Sequence, residues 1–450
     1  MHRILNSQQF TLLSFFIAVI LIGSVLLVHP DAWNGEGRLP YIDALFTSTS
    51  AVCVTGLITV DTAQYSLFGK LVIMALIQVG GLGIMSFATI FLVTPSLRLS
   101  LSHQQIIQKY YVETVEHRDR NIVGSIILFT LAAEAAGALL LYYRFRFLQA
   151  SGEVFNDGVF LTALFHSVSA FCNAGFSLFS NSLENFQADA LVLVTVMSLI
   201  ILGGLGFVVF NDLILRLRGK SRNLSLHSRM VIVMTLLLIA GGTMVFYLME
   251  SSGTMKEYNE PQKWTNAFFQ SVTTRTAGFN TISQGELSLP SRIFTLFLMF
   301  TGGAPGSIAG GVKVTTMLIV LSVIFRGTFK EGTLNFGKRQ IPAETVRNAH
   351  LFILRAVMLV ACGSFALSIS EIFFARQDWL FMDLLFEIFS AFGTVGLSTG
   401  VTSTLSVAGK IIVIIVMFAG RVGLISVTLT QSPENLRHNI EYVSEKVMIG

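Results

Sequence analysis

The chain has 450 residues, 53% of them hydrophobic and only 12% charged, with a formal net charge of +4. Soluble domains carry about 25% charged residues, so this composition and a mean hydropathy of +0.69 exclude an ordinary water-soluble protein and mark a polytopic membrane protein in the lipid bilayer. The small positive charge is confined to loops and is not gathered with exposed aromatics, which argues against nucleic acid as a partner.

Eight apolar runs, at 11–29, 71–93, 122–142, 191–214, 230–249, 292–325, 351–374 and 410–430, reach or exceed the roughly 20 residues that cross the hydrocarbon. The first is near full spanning length and no small-residue cleavage site follows it, so it reads as a helix and not as a cleaved signal. Basic residues follow the second run (Arg98, Lys109, Arg118, Arg120), the fourth (Arg216, Arg218, Lys220, Arg222, Arg229) and the sixth (Arg326, Lys330, Lys338, Arg339, Arg347). The positive-inside bias then places both termini in the cytoplasm.

Between paired runs lie four segments too short to span, at 43–52, 159–171, 262–274 and 380–392, all compatible with helix. Each contains a phenylalanine (Phe46, Phe165, Phe269, Phe386) that leads, nine or ten residues later, to one glycine: Gly56, Gly175, Gly278 or Gly396. The residues before the glycines are Val54 and Thr55, Asn173 and Ala174, Thr276 and Ala277, and Thr394 and Val395. Irregular backbone at membrane depth is tolerated only against protein or a watery cavity, and glycine accepts the dihedrals that aim carbonyls at one axis. The pattern predicts an all-α membrane protein of four tandem helix, re-entrant loop, helix repeats (M1-P-M2) in pseudo-fourfold arrangement around one pore. The repeats fall at 1–95, 96–220, 221–345 and 346–431, with the second helix of the third repeat interrupted and a cytoplasmic tail at 432–450. The loops share no carboxylate ring, which points to a monovalent cation held by carbonyl oxygen and away from Ca2+ or Mg2+. One glycine per copy predicts one well-formed level and moderate selectivity.

The sixth run is broken by GGAPGSIAGGVK, containing Gly302, Gly303, Gly306, Ser307, Gly310, Gly311 and Lys313. Glycine costs about 1 kcal/mol and proline about 3 in a helix interior, so a loop is expected at 302–313, under the filter, where it can gate the pathway. Arg421 in the last run is costly in hydrocarbon unless it meets water or a partner; it reads as an electrostatic barrier that pairs with carbonyls of that loop, or as a brace between helices. Lys313 is expected to anchor the loop, Glu134 to be paired within the bundle, and Arg275 to bind neighbouring carbonyls from behind the third loop. The glycine clusters at 80–83 and 203–206 suit close helix approach. Cys53 and Cys172 occupy the same place in two repeats, and with Cys362 they form no metal-spaced cluster, so they read as packing residues. Gly396, Ser398 and Gly400 fit a hydrolase nucleophile pattern, but the only later histidine is His438 in the polar tail, and an enzyme is not expected.

Together VTGL, NAGF, RTAGF, TVGL, GGAPGSIAGGVK and GRVG resemble the Trk/Ktr/HKT superfamily of K+ transporters, most closely the membrane subunits of bacterial Ktr systems. The resemblance covers nearly the whole chain. It implies one K+ filter at Gly56, Gly175, Gly278 and Gly396, with 302–313 and Arg421 as the intramembrane gate. It further implies a homodimer in a bacterial inner membrane, Na+ as a candidate activator, and a cytoplasmic RCK-type regulatory ring (KtrA/TrkA-like) that carries the nucleotide. Glycine at 56, where more permissive relatives have serine, supports K+ preference. The rival reading is a cation-coupled K+/Na+ symporter, although repeats of such proteins commonly invert across the membrane.

Overall fold

The structure is a computed structural model that describes residues 8–93, 122–219, 223–326, 334–336, 339–375 and 379–423. The expected cytoplasmic tail at 432–450 and His438 lie outside these residues.

Helices dominate. α1 (Gln8–Val28), α2 (Tyr41–Val52) and α3 (Leu67–Val93) come first, then α4 (Ile122–Ala150), α5 (Val159–Phe171), α6 (Ala190–Leu205) and α7 (Phe207–Leu217). α8 (Leu226–Glu250), α9 (Glu260–Thr273), α10 (Leu289–Phe300) and α11 (Val314–Arg326) follow. α12 (Ala343–Ser370), α13 (Phe381–Gly393) and α14 (Val407–Phe418) complete the helices. Among the described residues the all-helical expectation has one exception, an antiparallel ribbon of β1 (Leu334–Phe336) and β2 (Arg339–Ile341), with Leu334 opposite Ile341. Three described helices are long and apolar enough to cross a membrane by length and composition, or four if the bent pair α6 and α7 counts as one span.

That pair corrects the continuous span expected at 191–214. α7 leaves α6 at 98°, and the bend falls at Gly206, whose φ of +80° suits glycine and stops the helix.

The short helices α2, α5, α9 and α13 sit where the sequence put them, each following a longer helix. α9 shows why one starts there: Asn259 and Gln262 form a reciprocal capping box, with a proline in the first turn. Phe46, Phe165, Phe269 and Phe386 are all buried. Two residues on, Ser48, Ser167 and Ser271 donate to carbonyls of the preceding long helix, at Ile20 (2.7 Å), Glu134 (2.6 Å) and Ile239 (2.9 Å). A glycine of that helix lets each serine approach: Gly23, Gly137 and Gly242. In the fourth set Ile388 packs towards Gly363 instead.

Each set also leans on the next. α3 packs on α5, α6 on α9, α10 on α13, and α14 on α2, which brings the end of the chain back to its beginning. Three of these four seams carry an ion pair: Lys70 with Asp157 (2.7 Å), Arg292 with Asp383 (3.0 Å) and Lys410 with Asp43 (2.6 Å). The fourth seam is polar and uncharged, with the Asn266 amide donating to the Gln187 carbonyl at 2.9 Å and the Tyr258 hydroxyl to its side chain.

The Lys410–Asp43 side chains are 13% and 8% exposed, so removing one partner leaves a largely buried charge uncompensated. Lys410→Met should destabilise the protein by about 3 kcal/mol, and adding Asp43→Asn should restore most of the loss, as read by thermal unfolding in detergent. Equal stability of the single and double variants would show that the pair does not close this seam.

Candidate functional site

The four loops after the short helices share one backbone conformation. Val54, Asn173, Thr276 and Thr394 have φ of 55°, 55°, 69° and 48°, and Gly56, Gly175, Gly278 and Gly396 have 91°, 69°, 80° and 93°. A left-handed valine or threonine is a rare and strained conformer, worth on the order of 1–3 kcal/mol, and here it recurs at one position in four loops. The left-handed residues lie two apart, with Thr55, Ala174, Ala277 and Val395 between them, so the four loops share one turn.

Hydrogen bonds hold this shape from behind. The amides of Thr55, Ala174 and Val395 donate to the carbonyls of Ser50 (2.8 Å), Ser169 (2.7 Å) and Ser390 (2.9 Å), and that of Ala277 to Thr273 (3.0 Å). The hydroxyls of the same four residues bind the loops as well. Ser50 and Ser390 accept from the amides of Gly56 and Gly396, both at 3.0 Å. Ser169 and Thr273 donate to the carbonyls of Phe176 (2.7 Å) and Phe279 (2.6 Å). These four residues all lie four positions after the repeat phenylalanine.

The next residue after each phenylalanine is also polar and ties down the returning chain. Thr47 accepts from the Tyr65 hydroxyl (3.1 Å), and Gln270 donates to Gln284 (2.7 Å). His166 contacts the Thr162 carbonyl through Nδ1 and Ser177 through Nε2 (3.0 Å), so its Nδ1 carries the proton. Glu387 accepts from Ser398 (2.6 Å), the Thr399 amide (3.1 Å) and Thr402 (2.5 Å). Ser398 is thus a donor to a buried carboxylate, which accounts for the hydrolase-like spacing.

The glycines meet one another in order. A Cβ on Gly56 would run into the Ala174 carbonyl and Gly175, one on Gly175 into Ala277 and Gly278, one on Gly278 into Val395 and Gly396, and one on Gly396 into Thr55 and Gly56. Each would lie between 2.9 and 3.2 Å from the next glycine's Cα. The succession closes on itself, and backbone alone fits there. The C-terminal ends of α2, α5, α9 and α13 lead into these loops, and their partial negative charge favours a cation beside them.

Beneath the fourth loop lies the break between α10 and α11, which coincides with the expected loop at 302–313. Gly302 and Val314 amides donate to Val312 (2.9 Å) and Gly303 (3.0 Å), pinching its base. The tip is bound to α6, with the Ala304 amide donating to Gly204 (3.0 Å) and the Ile308 amide to Gly203 (3.4 Å). Gly310 packs against Thr394 and Gly393 at the foot of the fourth loop, and Ile308 lies near Gly81 of α3. Ser307 donates to Ala304 at 2.6 Å, and Lys313 Nζ donates to the Ala309 carbonyl at 2.5 Å. Arg421, in the π turn after α14 (Ala419–Gly423), donates through Nη1 to the Ile308 carbonyl and through Nη2 to Gly80 of α3 at 3.4 Å. The loop therefore touches elements of all three other sets.

Other expected charges find less direct roles. Glu134 accepts from Gln78 of α3 at 3.0 Å. Arg275 does not bind carbonyls as expected; its Nη2 reaches the Thr235 hydroxyl at 3.4 Å, because α8 presents a side chain there. Cys53 and Cys172 are buried free thiols and Cys362 is an exposed one. In the outer loops Asn280 holds Glu184 at 2.6 Å, and burial, with Glu286 nearby, raises the Glu184 carboxyl above its ordinary range.

The TrkH family model, described as cation transport protein, matches residues 3–438. The chain is 36% identical to Ktr system potassium uptake protein B of Bacillus subtilis, over 98% of this chain and 96% of that protein. It is 35% identical to potassium/sodium uptake protein NtpJ of Enterococcus hirae, over 99% and 98% respectively. The crystal structure of the potassium transporter TrkH from Vibrio parahaemolyticus shares the fold, with a TM-score of 0.72 and 18% identity over 95% of this chain and 86% of that one. The protein is a membrane-embedded transport protein. It belongs to the TrkH family of cation transport proteins.

Gly396→Ala would place a side chain at φ 93° against the neighbouring loop. It should destabilise the protein by at least about 1 kcal/mol, seen as a lower unfolding temperature in detergent. Gly37→Ala, with open space around it, gives the comparison for positive φ alone and should lose less.

Proposed function

We propose that the chain is the translocating subunit of a Ktr/Trk-type system that takes up K+ across the plasma membrane. The ion passes down its electrochemical gradient through a channel-like pore on the axis of four M1-P-M2 repeats, with both termini in the cytoplasm. The observation that carries this reading is the closed succession of loop glycines, each two residues after another left-handed residue, with the amide between them tied back to the short helix. Carbonyls left free around one centre replace the water shell of a dehydrated monovalent cation. The names of the two relatives above support K+ as that ion.

The filter residues are Val54, Thr55, Gly56, Asn173, Ala174, Gly175, Thr276, Ala277, Gly278, Thr394, Val395 and Gly396. The gate is the loop carrying Gly302, Gly303, Gly306, Ser307, Gly310, Gly311 and Lys313, latched by Arg421. A loop that is bound to α6, packed under the fourth filter segment and held by an arginine from α14's end stands across the path, and its bonds are few enough to break together. Arg421 adds a positive charge that repels cations while the loop is in place. We further assign a homodimer whose subunits each hold a pore, controlled by a cytoplasmic RCK-type ring that binds the nucleotide. A second reading, K+/Na+ symport or Na+ activation, is favoured by the name of the Enterococcus relative.

Flux of K+ and Na+ in proteoliposomes, with and without an RCK partner, tests the proposal. Gly56→Ser would push the first loop against Ala174 and should cut K+ over Na+ discrimination by roughly tenfold, about 1.4 kcal/mol. An unchanged preference in folded protein would count against the filter. Deleting 303–311 should raise K+ flux several-fold on the order expected for loss of a gate and leave the preference intact; loss of all transport in folded protein would contradict the gate. K+ flux that saturates and follows an imposed Na+ gradient would replace conduction with coupling.

A further inference from the structure

The bend at Gly206 connects the gate segment to a surface helix that the transport mechanism does not otherwise use. Gly206 abuts Pro305, Gly306 and Ser307, with room for no side chain larger than hydrogen without displacement: a Cβ there would lie 3.2–3.3 Å from their backbone atoms. α6 has 16 residues, a rise of about 24 Å at 1.5 Å per residue, against a hydrocarbon thickness of about 30 Å. That is too short to cross, and Gly203, one turn before the bend, abuts the Phe171 carbonyl at the end of α5, so the level of α7 is set by its bonds to the start of α8. α7 then turns by 98°, nearly into the membrane plane.

α7 is amphipathic. Val209 is buried and the Phe210 ring lies tilted against Phe129 of α4, with centroids 3.7 Å apart. Asp212 accepts from the hydroxyls of Ser225 and Ser228, both at 2.5 Å, which fixes α7 level with the start of α8. Its far end carries Arg216 and Arg218 exposed on either side of Leu217, itself 86% exposed. Two guanidinium groups flanking a bare leucine on a helix in the membrane plane suit the boundary where acyl chains meet phosphates. The same two residues are followed in sequence by Lys220 and Arg222.

We propose that α7 is a lipid-sensing arm: Arg216 and Arg218 bind headgroup phosphates of anionic phospholipid in the cytoplasmic leaflet, Leu217 enters the acyl boundary, and this attachment loosens 302–313 through Gly206. Pulling α7 towards the headgroups draws Gly206 away from 305–307 and strains the bonds from Ala304 and Ile308 to Gly204 and Gly203. The membrane orientation and gate role rest on the proposed function; the lipid site does not need the gate to be correct.

The test uses full-length protein in phosphatidylcholine vesicles with and without phosphatidylglycerol, and native mass spectrometry of retained phosphatidylglycerol. Anionic lipid should raise wild-type K+ flux roughly fivefold. Arg216→Gln with Arg218→Gln should abolish that rise and the retained lipid, Arg216→Lys with Arg218→Lys should keep much of both, and Gly206→Ala should keep the lipid but change the flux response. Wild-type flux equal in both vesicles, or a glutamine double variant that still responds, would overturn the proposal. So would a double variant that keeps its lipid response but loses its response to a cytoplasmic regulatory subunit, since the arm would then be a protein dock. If the filter reading fails, K+ over Na+ preference is absent in every vesicle while the difference in retained lipid between wild type and double variant persists; equal retention would reject the lipid site independently.

Discussion

Backbone amides that lie away from water must find partners, and in this protein that requirement shapes the four glycine loops. In each of the four glycine loops the middle amide is bonded back to the C-terminal turn of its own short helix, at Ser50, Ser169, Thr273 or Ser390. That arrangement needs left-handed residues at 54, 173, 276 and 394, a conformation valine and threonine resist. The surrounding structure has to impose it. Buried phenylalanines, serine bonds from the short helices to the preceding long ones, and ion pairs at three of the four seams supply the frame. The Lys410–Asp43 pair matters most because it joins residues 367 positions apart and so brings the two ends of the succession together.

The four glycine loops are alike in backbone and unlike in side chains. The residue following the repeat phenylalanine is threonine, histidine, glutamine or glutamate, and each solves the same task of holding the returning chain with a different donor and acceptor set. The break between α10 and α11 is the largest asymmetry. It gives one set a loop that contacts the other three, with Arg421 and the carbonyls of α6 as its anchors. That segment is buried at 302–304 and 307–312 and is held to the neighbouring helices by a handful of hydrogen bonds.

Much of this was legible because it is written locally. The short helix expected at 43–52 is observed as Tyr41–Val52, that at 159–171 as Val159–Phe171, and the glycine-rich break at 302–313 falls between Phe300 and Val314. Glycine and proline report directly on what a backbone can do. The seams were not legible, since Lys70 and Asp157 are 87 residues apart and no periodicity marks them as partners. The hydroxyls at 50, 169, 273 and 390 could have been found from their constant offset to the phenylalanine, but serine and threonine are common enough in such segments that the offset drew no attention. The bend at Gly206 was hidden by an apolar run that continues through it, and Arg275 was assigned carbonyls because its true partner, Thr235, sits on a different helix.

Where a heavy K+ substitute settles in the folded protein is the most direct measure of the account. Crystals soaked in thallium(I) and examined by anomalous scattering should show the strongest peak on the axis encircled by Gly56, Gly175, Gly278 and Gly396, at carbonyl distance from all four loops. Thallium bound only at carboxylates or thiols, with nothing inside that circle, would contradict it.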